Sequence, residues 1–239
     1  MIDDLNDYEM RLDKWIQKHK GCGKSTARRI IASGEVIVDG GSVRDSVFDV
    51  TRFHEIHIGD EVVQSNSAYY IMLNKPAGCV SATSDPEHQT VVDLIDEPFA
   101  ELLHLAGRLD KESTGLMILT NDGRWSRLLT EPDEAIAKTY LVTTEKTLSP
   151  ESVDAFREGF YFAYEDITTL PAKLEILSSH RARVIIYEGK YHQIKRMFHA
   201  VGNRVTSLHR EKIGNIILDE NLPLGGYRSL TDAEITCQE

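Results

Sequence analysis

The segment richest in possible chemistry is Gly107-Arg108-Leu109-Asp110-Lys111-Glu112-Ser113-Thr114-Gly115, just before a short apolar run. It places the carboxylate of Asp110 in a glycine-bounded loop at the start of a predicted strand, with Arg108 two positions away. Functional side chains are common in such loops, because the neighbouring scaffold holds them in place. An aspartate in a loop also serves as a turn or cap residue, and that is the commoner role. The residues alone leave both roles open for Asp110.

A second segment, Glu188 to Met197, combines hydrogen-bond donors with positive charge. Lys195 and Arg196 lie near the predicted start of a helix, where backbone N–H groups and the helix dipole also favour anions. The segment therefore suits a phosphate or a carboxylate. A solvated basic helix is the alternative, since runs of charge usually face water.

Other motifs do not fit a bound cofactor. Residues 21–26 read GCGKST, but a phosphate loop needs glycine five positions before its Gly-Lys pair, and Lys18 stands there. His54 and His57 would point to opposite faces of a predicted strand, so they would not share a metal ion. We therefore predict no metal site and no cofactor.

Apolar spacing predicts the elements that must position these segments, and it divides the chain into two domains. The first domain, residues 10–63, has predicted helices over 11–19 and 26–33, the second capped by Ser25, and predicted strands over 35–38 and 53–58. A polar linker is expected at 64–68. The second domain, 69–239, has predicted strands over 69–73, 116–120, 140–143, 172–177, 182–187 and 205–208, and predicted helices over 125–129, 150–158 and 193–201. Because strands and helices do not alternate regularly, an α+β fold with a mainly antiparallel sheet is favoured.

Charge is distributed unevenly along the 239-residue chain, which carries 27 Lys and Arg against 38 Asp and Glu, a net charge of -11. Residues 11–29 hold seven cations and one acid, and residues 181–212 hold eight cations and two acids. Each segment is thus +6, and the rest of the chain totals -23. Two basic segments in an acidic protein suit a polyanion that is held at chosen places and repelled elsewhere. We interpret them as nucleic-acid contacts.

Length and composition favour a soluble protein with no membrane partner. Hydrophobic residues make up 41% and charged residues 27%, and no apolar run reaches the ~18 residues of a membrane-spanning helix. The acidic start, MIDD, lacks the basic and apolar regions of a secretory signal, so we expect a cytoplasmic protein. Cys22, Cys79 and Cys237 are far apart and odd in number, which predicts reduced thiols. A monomer is expected by default.

Five ordered blocks resemble a known enzyme family. Residues 107–123, GRLDKESTGLMILTNDG, are similar to the signature of the pseudouridine synthases that act on ribosomal RNA. The family's other blocks are matched, in order and at similar spacing, by residues 73–78, 138–140, 191–198 and 226–231. The first domain resembles the small RNA-binding domain named after the fourth small-subunit ribosomal protein, through residues 11–15, 25–29, 33–36 and 38–40. Together the similarities extend from about Met10 to Glu234, and they imply a central cleft in the second domain.

Within that family, residues 122–126 and 207–214 are most similar to members acting on small-subunit (16S) rRNA and less similar to large-subunit relatives. The chain begins nine residues before Met10, where similar proteins would start. Either Met10 is an alternative start, or the acidic leader is an appended tail.

The resemblance implies isomerisation of a uridine to pseudouridine, in which the glycosidic bond breaks, the uracil rotates, and carbon replaces nitrogen at the sugar. It implies that Asp110 is the essential carboxylate, acting on the ribose either as nucleophile or as base in an elimination. Lys195 would stabilise the ionised carboxylate, and Tyr140 would stack on the uracil and assist proton removal. Arg108 would fill the gap left by the everted base. The implied RNA-binding residues are Lys24, Arg28 and Arg29 in the first domain and Lys75, His192 and Arg196 in the second.

Three alternatives stay open from the sequence: the same chemistry on large-subunit rRNA, a non-catalytic RNA-binding factor of ribosome assembly, and a glycosidase-like hydrolase using Asp110. A hydrolase would require a second acid at a defined distance, and none stands out. The presence of Asp110, Tyr140 and Lys195 together favours an enzyme, because a pure binder does not need them. The expected partner is ribosomal RNA, free or in an assembling small-subunit particle.

Overall fold

The computed structural model describes residues 9–131 and 135–236. The expectations on the first eight residues of the leader and on Cys237 concern residues outside these ranges. The chain divides between Ala68 and Tyr69 into two compact units, and buried apolar clusters lie within each. In the described ranges, no helix has the length and apolar character needed to cross a membrane.

The N-terminal unit packs two helices on a small antiparallel sheet. Its elements are β1 (Met10–Arg11), α1 (Leu12–Lys20), α2 (Lys24–Ser33), β2 (Val36–Val38), β3 (Gly41–Ser42), β4 (Asp49–Val50), β5 (Ile56–Ile58) and β6 (Glu61–Gln64). Strands β3, β2, β5 and β6 form the sheet in that order, and β1 pairs with β4. The predicted apolar stripe of α1 is confirmed, since Leu12, Trp15 and Ile16 are buried against Ile31 of α2 and the strands.

Two predictions for this unit are wrong in detail. Ser25 does not cap α2: it lies inside the helix, which begins after Gly23 without a side-chain cap. Gln64 is not part of a linker, because it is the last residue of β6. Its side-chain oxygen accepts a hydrogen bond from Trp15 Nε1 at 3.3 Å, and its amide nitrogen donates to the Thr51 carbonyl at 2.8 Å. These bonds hold a polar residue in the folded unit.

The C-terminal unit is built on one large sheet. Its strands are β7 (Tyr70–Lys75), β8 (His104–Leu105), β9 (Thr114–Thr120), β10 (Lys138–Thr144), β11 (Tyr161–Phe162), β12 (Ile167–Thr168), β13 (Lys173–Ser178), β14 (Arg181–Ile186), β15 (Val205–Ile213), β16 (Ile216–Ile217) and β17 (Tyr227–Ser229). Its helices are α3 (Gly123–Thr130), α4 (Glu151–Glu158), α5 (Gln193–Ala200) and α6 (Asp232–Thr236), with short 3-10 turns at Val92–Leu94 and Ala100–Leu102.

The strand order is β13-β14-β10-β15-β9-β7-β17, with β8 beside β9 and β16 beside β15. Among the strands named here, which lie in the described ranges, every pair is antiparallel except β9 with β15, and β11 and β12 form a separate hairpin. The predicted α+β fold with a mainly antiparallel sheet is confirmed. Strand β15 is longer than predicted, because the polar run after Leu208 remains in the sheet.

The central strands are covered on both faces. Alternate residues of β7 and β9 (Ile71, Leu73, Met117 and Leu119) belong to a core that includes Phe156 of α4 and Phe198 of α5. The intervening residues (Met72, Leu116 and Ile118) belong to a second core with Trp125 and Leu129 of α3. Burial on both sides explains why residues 116–119 form an uninterrupted apolar run.

The parallel pairing of β9 with β15 depends on one glycine. Gly115 has φ of +102°, and a Cβ atom there would lie 2.4 Å from the carbonyl oxygen of Arg210. An L side chain would therefore be strained by its backbone conformation and would collide with the neighbouring strand. Gly115 allows β9 to meet β15 directly after the loop that carries Asp110.

We expect Gly115→Ala to lower the free energy of unfolding by about 3 kcal/mol or more, because backbone strain and overpacking add at this position. Urea unfolding followed by tryptophan fluorescence would measure the loss. Gly189→Ala is the matched control, since a Cβ there meets no atom within 4 Å. Equal unfolding midpoints for the two variants would contradict the assignment.

Candidate active site

Asp110 lies in the loop between β8 and β9, with its side chain 26% exposed. Lys195, from the first turn of α5, donates from Nζ to Asp110 Oδ2 at 2.6 Å. The Nε2 atom of His192, the residue before α5, lies 3.3 Å from Asp110 Oδ1. The fold thus brings together two segments that are more than eighty positions apart in the chain. Each carboxylate oxygen faces one basic side chain.

Tyr140 and Arg108 lie beside this ion pair. Tyr140 is buried on β10, and Arg108 is exposed two residues before Asp110. Both line a cavity of about 90 Å³ together with Asp110 and Lys195. A wider opening of about 620 Å³ contains Arg108, Asp110 and His192. The four residues expected to carry the chemistry therefore share one cavity, which meets the wider opening at Asp110.

Arg210 was not singled out from the sequence, although it organises the inner wall of the cavity. Its side chain is buried on β15, and Nε donates to the Leu116 carbonyl at 2.7 Å. Nη1 lies 3.3 Å from the Arg108 carbonyl and 3.5 Å from the Tyr140 hydroxyl. One signal was present: Arg210 lies two positions after the apolar Leu208, on the buried face of a strand.

Lys75 is not available to RNA, so its predicted binding role is wrong. The side chain is fully buried, and its ammonium group donates to the carbonyls of Pro76 at 3.0 Å, Lys111 at 3.0 Å and Ser113 at 2.9 Å. Burial lowers the pKa of this ammonium group, because the charged form is desolvated. Lys75 instead holds the backbone that follows Asp110.

Ser81 holds the other side of the same loop. Its hydroxyl donates to the Leu109 carbonyl at 2.6 Å and accepts from the Leu109 amide at 3.1 Å. Asp110 is therefore flanked on both sides by backbone groups that bond to buried or half-buried side chains. Such a loop presents its carboxylate in a fixed position before any ligand binds.

Arg196, which the resemblance assigns to RNA binding, makes its contacts in this structure within the protein. Its guanidinium group makes two hydrogen bonds of 2.7 Å to the carboxylate of Glu165 and lies 3.6 Å above the ring centroid of Phe162. Its positive charge is thus balanced within the protein. The contact ties the β11–β12 hairpin to α5, which is a structural role.

The turn before α5 is fixed by a buried polar pair. Gln193 Nε2 donates to Glu188 Oε1 at 2.8 Å, and the same oxygen accepts from the Leu170 amide at 2.9 Å. Gln193 Oε1 accepts from the Lys190 amide at 3.0 Å. His192 has φ of +49° in this turn. These bonds set the direction from which His192 and Lys195 approach Asp110.

Lys24, Arg28 and Arg29 are exposed on α2 of the N-terminal unit. Arg28 Nε lies 3.4 Å from Asp13 Oδ2, which also binds Arg11 at 2.9 Å. Burial alone would raise the pKa of Asp13, but the hydrogen bonds from the two arginines outweigh it and lower that pKa. These cations form a second candidate site, separate in sequence from the cavity around Asp110.

Within residues 9–131 and 135–236, no group of three His, Cys, Asp or Glu side chains is arranged to hold a metal ion. Comparison with known families gives the class of the protein. Residues 69–200 match the family described as RNA pseudouridylate synthase, and residues 10–56 match the S4 domain. The chain belongs to the RNA pseudouridylate synthase family and carries an N-terminal S4 domain.

Individual relatives agree with this membership along nearly the whole chain. The chain is 46% identical over 227 residues to "Ribosomal small subunit pseudouridine synthase A" of Pseudomonas aeruginosa, which covers 95% of this chain and 99% of that protein. It is 45% identical to the protein of the same name in Escherichia coli K12, covering 95% and 98%. A solved structure described as "Crystal structure of pseudouridylate synthase" is 42% identical with a TM-score of 0.70, covering 96% of this chain and 100% of that one. The protein is thus an RNA pseudouridine synthase.

We expect Lys75→Met to lower the free energy of unfolding by about 2–4 kcal/mol, because three buried carbonyls lose a charged donor. The catalytic rate should fall at least about tenfold as the Asp110 loop loosens. The salt dependence of RNA binding should not change, since the buried ammonium makes no phosphate contact. Urea unfolding and RNA titrations at several salt concentrations would measure these effects.

Lys111→Met is the control for this prediction, because Lys111 is an exposed lysine of the same loop. That variant should keep the stability of the parent. A Lys75→Met protein that is as stable as the parent, but has a weaker salt dependence, would instead restore the RNA-binding role.

Proposed function

We propose that this protein converts a uridine of small-subunit (16S) ribosomal RNA to pseudouridine, with Asp110 as the catalytic carboxylate. The observation that carries the catalytic part is the 2.6 Å contact of Asp110 with Lys195 in a cavity that Tyr140 also lines. The similarity to relatives named for the ribosomal small subunit supports the choice of RNA. The substrate is the free RNA or an assembling particle.

Asp110 acts on the ribose of the everted nucleotide by one of two routes. As nucleophile, a carboxylate oxygen bonds to C1′ while the C1′–N1 bond breaks and the uracil leaves with the electron pair. As base, it removes a ribose proton and returns it later. On the nucleophilic route C5 of the rotated uracil attacks C1′ while the bond between C1′ and the carboxylate oxygen breaks, which frees Asp110. On the base route the C1′–N1 bond breaks as the ribose proton is removed, and C5 bonds to C1′ as that proton returns to the ribose. C5 then loses a proton and N1 gains one, so the reaction is an isomerisation.

Lys195 holds Asp110 Oδ2 by a charge-assisted hydrogen bond and balances the carboxylate charge in the cavity. Tyr140 offers its ring for stacking on the uracil, and its hydroxyl assists removal of the C5 proton. Arg210 orients that hydroxyl from behind. The buried position of Tyr140 and Arg210 keeps this wall rigid while the base rotates.

Arg108 is suited to occupy the space that the everted base leaves. Its carbonyl accepts a hydrogen bond from Arg210, while its exposed side chain lines both the cavity and the wider opening. A cation there compensates the phosphates that come together when a nucleotide is turned out of the stack. We assign His192 to the same rim, where it contacts the backbone of the target nucleotide.

The S4 domain supplies affinity through the exposed cations Lys24, Arg28 and Arg29, which contact phosphates without reading bases. One chain contains every residue assigned to the chemistry, which supports action as a monomer. A cytoplasmic location follows from the proposed substrate, because bacterial ribosomes assemble there.

We expect Asp110→Asn to bind RNA like the parent but to form no pseudouridine. The substitution keeps the shape of the side chain but replaces the carboxylate, which attacks the ribose or accepts its proton, with a neutral amide. Glu112→Gln is the matched control, since Glu112 is an exposed acid of the same loop, and it should keep activity within about twofold. Turnover of Asp110→Asn near the parent rate would exclude Asp110 as the catalytic carboxylate.

The same assay identifies the substrate. Small-subunit rRNA, large-subunit rRNA and partially assembled small-subunit particles are incubated with the parent and with Asp110→Asn, and pseudouridine is mapped. Modification at one small-subunit position by the parent alone is the expected result. Modification confined to large-subunit rRNA would exclude the proposed substrate but leave the chemistry intact.

We expect the double variant Arg28→Ala/Arg29→Ala to bind RNA about ten- to a hundredfold more weakly. The slope of log affinity against log salt should fall by about 1.5, because about two phosphate contacts are lost. The catalytic rate in saturated complexes should stay the same. The control is Arg157→Ala/Lys173→Ala, which removes two exposed cations that line neither opening around Asp110. Equal salt slopes for the two double variants would refute the assignment of α2.

A further inference from the structure

Tyr191 is the most exposed aromatic residue beside the catalytic cavity, and the mechanism above does not use it. Its surface is 74% exposed. One face of its ring stacks on the imidazole of His192, with the ring centroids 3.9 Å apart and the planes 18° from parallel. The opposite face points to solvent.

The position of this ring is fixed by its neighbours. His192 has φ of +49°, which places two consecutive side chains against one another instead of on opposite sides of the backbone. The Tyr191 carbonyl accepts a hydrogen bond from Arg196 Nη1 at 3.3 Å. Arg196 is itself held by Glu165. A preset ring loses little conformational freedom when a flat ligand stacks on it.

Tyr191 also lines the wider opening, about 620 Å³, whose wall includes Asp110. Three cations line the same opening, namely Arg108, Lys111 and Lys190. The surface therefore combines a flat aromatic face with positive charge at the entrance to the reacting carboxylate. Single-stranded nucleic acid is recognised by this combination, because bases stack on aromatic rings while cations follow the phosphates.

We propose that the outer face of Tyr191 stacks on the base of an unpaired nucleotide directly next to the target uridine. Tyr191 is thus a substrate-contacting residue outside the chemistry, and it supports the everted conformation by replacing a stacking partner that the neighbouring base loses. This inference rests on the proposed uridine eversion at Asp110 but not on which ribosomal RNA is modified.

Two other exposed tyrosines, Tyr164 and Tyr161, do not meet these conditions. Tyr164 is 96% exposed, but it lies in the turn between β11 and β12 and lines neither opening around Asp110. Tyr161 is exposed on the same hairpin, and its hydroxyl donates to Asp166 at 2.8 Å. Tyr164 therefore serves as a control for the general effect of removing an exposed aromatic side chain.

The test is a cycle that combines protein variants with RNA variants. The RNA is a short fragment containing the uridine that the parent modifies, either intact or with an abasic nucleotide immediately before or after that uridine. We expect one of the two abasic RNAs to raise the KM of the parent about tenfold, from the lost stacking contact. Tyr191→Leu should raise KM about tenfold on intact RNA, with kcat unchanged. Its KM on that abasic RNA should be no higher than its KM on intact RNA.

Two control proteins complete the design. Tyr191→Phe should behave like the parent, since it keeps the ring face. Tyr164→Leu should have the same KM as the parent on intact RNA, and the abasic RNA should raise its KM as much as it raises that of the parent.

Three outcomes would overturn the proposal. In the first, neither abasic RNA raises the KM of the parent. In the second, the KM increases from Tyr191→Leu and from the abasic RNA multiply when the two changes are combined, and in the third, Tyr191→Leu lowers kcat. A fall in kcat would show instead that Tyr191 only supports His192 beside Asp110. Failure of the small-subunit assignment would appear separately, because the mapping assay reports which ribosomal RNA contains the modified uridine.

Discussion

The contact between the Asp110 carboxylate and the Lys195 ammonium is the constraint that the surrounding elements of the C-terminal unit must satisfy. The two residues come from different elements, a loop before β9 and the first turn of α5, and their hydrogen bond is 2.6 Å long. Each partner has its own support. Lys75 and Ser81 hold the loop, and the buried pair of Glu188 and Gln193 fixes the turn before the helix. The charge pair is therefore positioned from both sides by interior hydrogen bonds.

The large sheet makes this arrangement possible, because it places the loop and the helix at one cavity. Gly115 lets β9 pair with β15, and this pairing puts Arg210 beside the Arg108 carbonyl and the Tyr140 hydroxyl. Arg210 then links three strands through its guanidinium group. Packing on both faces of the central strands makes the sheet rigid, so the side chains around Asp110 keep their relative positions.

Much of the fold follows from local sequence signals. Apolar periodicity predicts α1, α5 and most strands, since it reports directly which apolar side chains are buried. The Asp110 and Lys195 segments were identified by residue type and by resemblance, and the structure brings them together. The length of β15 was missed because its second half is polar. Polar residues remain in a strand when their backbone groups pair with a neighbouring strand, and this pairing leaves no apolar pattern in the sequence.

The contacts of three cations inside the fold could not be predicted from the sequence. Lys75, Arg196 and Arg210 all look like RNA contacts, because a positive charge on its own suggests an anionic partner. In the fold their partners are backbone carbonyls, a carboxylate and an aromatic ring from distant segments. A cation with such partners leaves no local pattern in the sequence, so only the three-dimensional structure shows that its contacts lie within the protein.

The buried ammonium of Lys75 has one more consequence. Because its hydrogen bonds occupy the carbonyls of Lys111 and Ser113, the loop that carries Asp110 already has its final conformation before RNA binds. On the proposed mechanism the RNA must then change shape more than the protein, because one nucleoside has to turn out of its stack to reach the Asp110 carboxylate. On that mechanism, sites in ribosomal RNA whose nucleoside is already turned outward would react first, and a rigid loop would favour RNA of that shape.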